Sequence, residues 1–213
     1  LSLSCLRARE RQLNFLRWRS LAYQLHKTVV LVGMMGSGKS AIGMELARQL
    51  QVPFLDSDTE IEKAANATIA EIFARDGEAF FREKESQVLA RLLQSDPCVL
   101  STGGGAFLRP ENRQEISREG ASLWLDATVD LLWQRVRHKT TRPLLLTDNP
   151  KQTLRELFDA RTPHYSKAMF RVQTRSEYSI SDMTAQVIKV LLARPDVLTL
   201  NAECPSNLGA NQG

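Results

Sequence analysis

Along the chain, short apolar runs alternate with longer stretches in which apolar positions recur every three to four residues. The first pattern marks buried strands, the second helices with one face turned to a core. Strands are predicted at Thr28–Val32, Pro53–Leu55, Cys98–Ser101, Ser122–Leu125 and Phe170–Val172. Helices are predicted at Lys39–Leu50, Thr59–Ala65, Ile69–Arg75, Glu78–Leu93, Glu111–Glu119, Val129–Arg137, Lys151–Ala160 and Ser181–Ala193. Thr68-Ile69-Ala70-Glu71 has the spacing of a capping box, in which each of the two polar side chains accepts a bond from the other residue's backbone N–H. Strands and helices in alternation predict an α/β sandwich, a parallel sheet covered by helices. Ligands of such sheets collect at the carboxyl ends of the strands.

The 213 residues, 43% of them hydrophobic, suffice for one well-cored domain, assigned to residues 27–193. Residues 1–26 form a basic leader that reads as a helix or as disordered chain. Residues 194–213, polar at their end, read as a disordered tail. The net charge of +4 is carried at the front: the first 27 residues hold about +5 and the rest about −1. The core is therefore no basic platform for nucleic acid. No apolar stretch reaches the roughly 20 residues of a membrane span. Cys5, Cys98 and Cys204 are too scattered to grip zinc, as are His26, His138 and His164. These features predict a cytoplasmic monomer that uses neither nucleic acid nor membrane.

Behind the first strand stands Gly33-Met34-Met35-Gly36-Ser37-Gly38-Lys39-Ser40. Glycines at this spacing let successive N–H groups curl around phosphate oxygens at a helix N-terminus. Lys39 would reach the β and γ phosphates and Ser40 would hold Mg²⁺. The chain is predicted to bind a nucleotide.

Other polar motifs fall at the same sheet edge. Asp56-Ser57-Asp58 follows the second strand, where one acid can hold the water shell of Mg²⁺ and the other accept a proton from an alcohol. A helix cap at Asp58 explains the pair as well. Arg82 precedes Glu85 by one helical turn, so the acid can orient the guanidinium toward a carboxylate; an exposed surface ion pair is the competing reading. Gly103-Gly104-Gly105 after Ser101-Thr102 reads as a floor that a flat ring can approach closely, or simply as a flexible loop. Ser101 can add a hydroxyl to the magnesium water shell. Residues 138–145, containing Arg142, read as a lid that excludes water and brings a cation to the transferring phosphate. Arg161 is predicted to open a loop after a helix and to provide a second carboxylate clamp.

In order and spacing these motifs resemble the shikimate kinase family from about Lys27 to Ala193. The resemblance implies phosphorylation of the 3-hydroxyl of shikimate by ATP, giving shikimate 3-phosphate and ADP, on the route to chorismate and the aromatic amino acids. It implies a three-layer α/β/α sandwich with a five-stranded parallel sheet in the order 2-3-1-4-5, a P-loop kinase fold with a lid. It assigns Gly36, Ser37, Gly38, Lys39, Ser40 and Ala41 to the nucleotide phosphates, with Arg142, and Arg135 to the adenine. Asp58 becomes the general base and the ligand of the substrate hydroxyls. Arg82 and Arg161 become the carboxylate clamp, with Glu85 fixing Arg82. Gly103, Gly104 and Gly105 form the floor, Phe73 and Phe81 apolar walls, and Asp56 and Ser101 reach Mg²⁺ through water. Another small-molecule kinase on the same fold is the nearest alternative, and a ligand-sensing regulatory module is the alternative from another class.

Overall fold

The computed structural model describes residues 23–138, 143–145 and 147–201. Its strands are β1 (Tyr23–Leu25), β2 (Thr28–Val32), β3 (Phe54–Asp56), β4 (Val99–Ser101), β5 (Gly120–Asp126), β6 (Phe170–Gln173) and β7 (Leu198–Leu200). Its helices are α1 (Lys39–Leu50), α2 (Ser57–Ala65), α3 (Ile69–Leu93), α4 (Pro110–Glu119), α5 (Val129–Val136), α6 (Pro150–Tyr165) and α7 (Ile180–Leu191). Single 3₁₀ turns stand at Ala106–Leu108 and Pro143–Leu145.

Five strands form a parallel sheet in the order β3-β4-β2-β5-β6. Counted from β2, this is the expected order 2-3-1-4-5. Side-chain alternation on β2 divides the interior in two. Val30 and Val32 join Ile61 of α2, Ile72 and Leu89 of α3, Ile116 of α4, Leu132 of α5 and Leu154 of α6. Val29 and Leu31 join Ile42, Leu46 and Leu50 of α1 with Val187 and Leu191 of α7. The sheet thus lies between two helical layers, and each such side chain fully removed from water contributes about 1.5–3 kcal/mol.

Local chemistry sets the helix starts. Thr68 Oγ1 accepts from Glu71 N at 3.2 Å while Thr68 N donates to Glu71 Oε2 at 2.7 Å, the predicted capping box. Ser179 and Asp182 repeat that arrangement at α7. The two helices expected at Ile69–Arg75 and Glu78–Leu93 run as one element, α3, broken at Gly77, whose φ of 82° and ψ of 173° lie outside the helical region.

The expected domain limits are too narrow. Tyr23–Leu25, placed in the leader, pairs antiparallel with Leu198–Leu200, placed in the tail. Val197 and Leu198 are fully or almost fully buried against the α1–α7 layer. His26 N donates to Val197 O at 2.9 Å, and Lys27 Nζ reaches Asp196 Oδ2 at 3.0 Å. Three-residue strands carry too little periodicity to stand out in a sequence, so their pairing was not legible there. Residues 1–22 and 202–213, the expected lid cation Arg142 and residues 139–141 lie outside the described residues. Among the described residues no helix is long and apolar enough to cross a membrane.

Candidate active site

At the end of β2 the chain turns through Gly33–Ser40 into α1. Gly36 and Gly38 take φ values of 82° and 99°, which L side chains rarely adopt. α1 has no side-chain cap and no acidic residue in its first turn. Its first turn and the helix dipole therefore face an anion without a competing cap, whereas α2, α3, α5, α6 and α7 each begin on a capping side chain. Lys39 Nζ donates to Gly33 O at 2.9 Å and Met34 O at 3.1 Å, holding its charge over the loop. Ser40 is exposed beside it and Ala41 follows in the first turn. Ser37 is fully buried with its hydroxyl unpartnered. From α5, Arg135 Nη1 donates to Gly36 O at 3.2 Å and Ser37 O at 3.4 Å, and burial lowers its pKa.

The two aspartates take different positions. Asp56, the last residue of β3, caps α2 by accepting from Asp58 N at 3.1 Å. The cap is thus Asp56, correcting the reading that gave it to Asp58. The exchange follows from α2 starting at Ser57, two residues before the predicted Thr59. Asp58 is left free to face the site from the first turn of α2. Burial raises its pKa, the neighbouring Asp56 charge raises it further, and Lys39 opposes them. Asp56 and Ser101 are register partners, and Ser101 pairs in turn with Leu31. Strand alternation puts all three on the α1 side of the sheet. Ser101 is 2% exposed.

The three glycines after β4 stand close against the polar ends of the site's side chains. A Cβ on Gly103 would stand 2.8 Å from Asp58 Oδ1, one on Gly104 3.0 Å from Arg161 Nη1, and one on Gly105 2.5 Å from Arg82 Nη1. The acid and both predicted carboxylate clamps converge on one bare strip of backbone. Gly103 N donates to Ser57 Oγ at 3.3 Å, and Tyr165 Oη donates to Gly104 O at 2.6 Å, so the strip is anchored rather than loose.

Arg82 Nη1 donates to Glu85 Oε2 at 3.0 Å, and Glu85 is 1% exposed. That excludes the reading of an exposed surface pair. Burial raises the Glu85 pKa, with Arg82 opposing it, and Glu85 Oε1 has no hydrogen-bond partner. Burial works against the Arg82 charge as well, but Glu85 and Glu78 outweigh it. The guanidinium stands over the Phe81 ring, 5.1 Å from its centroid, and Phe81 stacks on Phe73 at 4.7 Å. Phe81 is almost wholly inside the core, while Phe73 is half-buried.

Arg161 lies within α6, not in a loop as expected. The helix runs through Pro163 to Tyr165, beyond its predicted end at Ala160. Sequence reasoning also missed Arg109, whose Nη1 donates to Arg82 O at 2.9 Å, and the roles of Ser57 and Tyr165 as anchors of the glycine strip. No local signal marks Arg109, because its contact spans 27 positions. A groove of about 460 Å³ near Phe107, Arg113, Lys167 and Met169 contains none of the predicted site residues.

Comparison with known proteins gives the family of the chain. A family model described as shikimate kinase matches residues 35–192. The shikimate kinase of Cereibacter sphaeroides is 62% identical over 180 residues, covering 84% of this chain and 90% of its own. That of Ruegeria pomeroyi is 61% identical over 180 residues, covering 84% and 92%. Among solved structures, shikimate kinase from Acinetobacter baumannii in complex with shikimate superposes with a TM-score of 0.73 at 38% identity, covering 78% of this chain and 93% of that one. By sequence over most of its length and by fold, the chain belongs to the shikimate kinase family.

Proposed function

We infer that the protein transfers the γ-phosphoryl group of ATP to the 3-hydroxyl of shikimate, giving shikimate 3-phosphate and ADP, a step of aromatic amino-acid biosynthesis. The observation that carries this is the convergence of Asp58, Arg82 and Arg161 on Gly103, Gly104 and Gly105, at the same sheet edge as the phosphate loop. A small ring with one carboxylate and several hydroxyls needs cations for the acid, an acid for the hydroxyls and a floor that it can approach closely.

Arg82, held by Glu85, and Arg161 bind the ring carboxylate and orient the ring above the glycines, with Phe73 and Phe81 as its apolar side. Asp58 accepts the proton of the 3-hydroxyl as that oxygen bonds to the γ-phosphorus and the bond to the leaving ADP oxygen breaks. The raised pKa of Asp58 suits a group that must take up a proton. Backbone N–H groups of Gly36, Ser37, Gly38, Lys39, Ser40 and Ala41 cradle the phosphates. Lys39 neutralises charge that moves toward the leaving group, Arg142 adds a second cation, and Arg135 lies against the adenosine end of the nucleotide.

The donors near the loop fit Mg²⁺: Ser40, Asp56 and Ser101 provide hard oxygen atoms, with no thiolate or imidazole among them. Ser40 would hold it directly, and Asp56 and Ser101 through water. When bound, it supplies positive charge to the β and γ phosphate oxygens. Among the described residues no group of three His, Cys, Asp or Glu could hold a metal, so most of its ligands would be phosphate and water. We further propose a cytoplasmic monomer that works without nucleic acid or membrane; the unpaired, buried thiol of Cys98 fits a reducing compartment.

The test is ATP consumption with Mg²⁺, in the presence and absence of shikimate, with detection of shikimate 3-phosphate. Shikimate-dependent ADP together with that product is expected. ADP formation indifferent to shikimate would sink the reading.

A further inference from the structure

Tyr165 is 1% exposed, and its hydroxyl donates at 2.6 Å to the carbonyl of Gly104, the middle glycine of the floor. It sits on α6 four residues after Arg161, one helical turn away, so the two side chains share a face. Both meet at the same glycine: a Cβ on Gly104 would stand 3.0 Å from Arg161 Nη1 and 3.5 Å from Tyr165 Oη. The Tyr165 ring lies 6.3 Å from that of Trp124, a 4%-exposed residue of β5. The phenol is thereby wedged between the sheet and the floor, with little freedom to choose another acceptor. Burial raises its pKa and the nearby Arg161 charge opposes the rise, so the phenol keeps its proton and remains a donor at neutral pH.

We propose that Tyr165 is a positioning residue for shikimate: its hydroxyl ties α6 to the Gly104 carbonyl and so fixes the height of the Arg161 guanidinium above the floor. This deepens the reading of the site as a shikimate kinase centre and rests on it. The floor belongs to the loop after β4 and the cation to α6, two elements 57 residues apart in sequence between Gly104 and Arg161. The Tyr165 bond sets their registry at the point where the substrate carboxylate is received. Tyr165 touches neither reacting atom, so its loss acts on capture of the acid rather than on phosphoryl transfer.

The experiment compares wild type, Tyr165→Phe, Arg161→Lys and the double variant, measuring KM for shikimate, KM for ATP, kcat and thermal unfolding. Wild-type turnover with shikimate tests the functional reading alone; the variants test this inference. Tyr165→Phe keeps the ring and removes only the hydroxyl. It is expected to unfold as a single folded species, to raise KM for shikimate about three- to tenfold, and to leave KM for ATP and kcat within about twofold. In the Arg161→Lys background the same change is expected to add little, because the guanidinium to be positioned is gone. An unchanged KM for shikimate, a parallel rise in both KM values, effects that multiply fully in the double variant, or failure of Tyr165→Phe to fold would each overturn the proposal. The last would show the hydroxyl to be holding the fold instead.

Discussion

Arg82 and Glu85 form an ion pair of 3.0 Å in which the guanidinium keeps contact with the site while the carboxylate is buried. A buried acid with one free oxygen is costly unless its partner stays in place, so Glu85 makes the Arg82 position the least costly one available. Arg82→Ala is expected to raise KM for shikimate by about 10- to 100-fold, as for loss of a charged hydrogen bond, with KM for ATP nearly constant. Steady-state kinetics with each substrate varied in turn checks this. An unaltered KM for shikimate would show that the carboxylate does not bind there.

Asp58→Asn removes the proton acceptor and leaves the phosphate loop intact. The expected result is a fall in kcat of about 10²- to 10⁴-fold with nucleotide affinity preserved. Single-turnover kinetics beside equilibrium titration of a nucleotide separates the two quantities, and normal kcat would remove Asp58 from the chemistry.

The pH behaviour has opposite signs for activity and stability. Burial, with the Asp56 charge, raises the Asp58 pKa above its ordinary 3.8, so the acid limb of kcat should inflect above that value and activity should fall as pH drops through it. For folding, a raised native pKa means that the ionised form is disfavoured in the native state. The stability contribution is complete below the unfolded-state value and is lost as pH rises through the native one. Asp58→Asn should therefore melt at a higher temperature than wild type at neutral pH, and the gain should shrink on acidification. Melting curves at several pH values test this; equal melting temperatures at neutral pH would contradict it.

Gly105→Ala places a methyl group 2.5 Å from Arg82 Nη1 and 2.8 Å from Cζ. The obstructed atoms are the far end of a long side chain, which can swing aside without moving backbone. The fold should therefore survive while Arg82 leaves its position on Glu85. A protein that still folds but melts below wild type, because buried Glu85 loses its partner, together with a KM for shikimate raised about tenfold, is expected. A folded variant with an unaltered KM for shikimate would reverse the argument.

Much of the molecule was legible in order along the chain because its signals are local. The buried run of β2, the glycine spacing behind it and the Thr68–Glu71 box each lie within a few residues, and the structure has them as read. The site residues were legible as types, since Asp58 and the glycine triplet stand next to element ends and Arg82 stands one helical turn before its acid Glu85. Their mutual geometry was not, because Gly103 meets Asp58, and Gly104 meets Arg161, only after the strands are ordered in the sheet. The α6 error has a physical cause: Pro163 has no N–H to donate, yet the helix continues to Tyr165, whose burial under the floor holds that last turn in place. The β1–β7 pair escaped notice because hydrogen bonding between distant ends, not hydrophobic repetition, defines it.

That pair also determines how the molecule answers a mechanical load. Tyr23 is opposite Leu200 and Leu25 is opposite Leu198, so the first residue of one strand faces the last residue of the other. Tension entering at Tyr23 and leaving at Leu200 pulls both strands from the same end. The ladder bonds are then loaded one after another, as in a zipper, rather than together in shear. Peeling should proceed to the Lys27–Asp196 bridge before any strain reaches β2, which gives the catalytic sheet a sacrificial fastening at its chain ends.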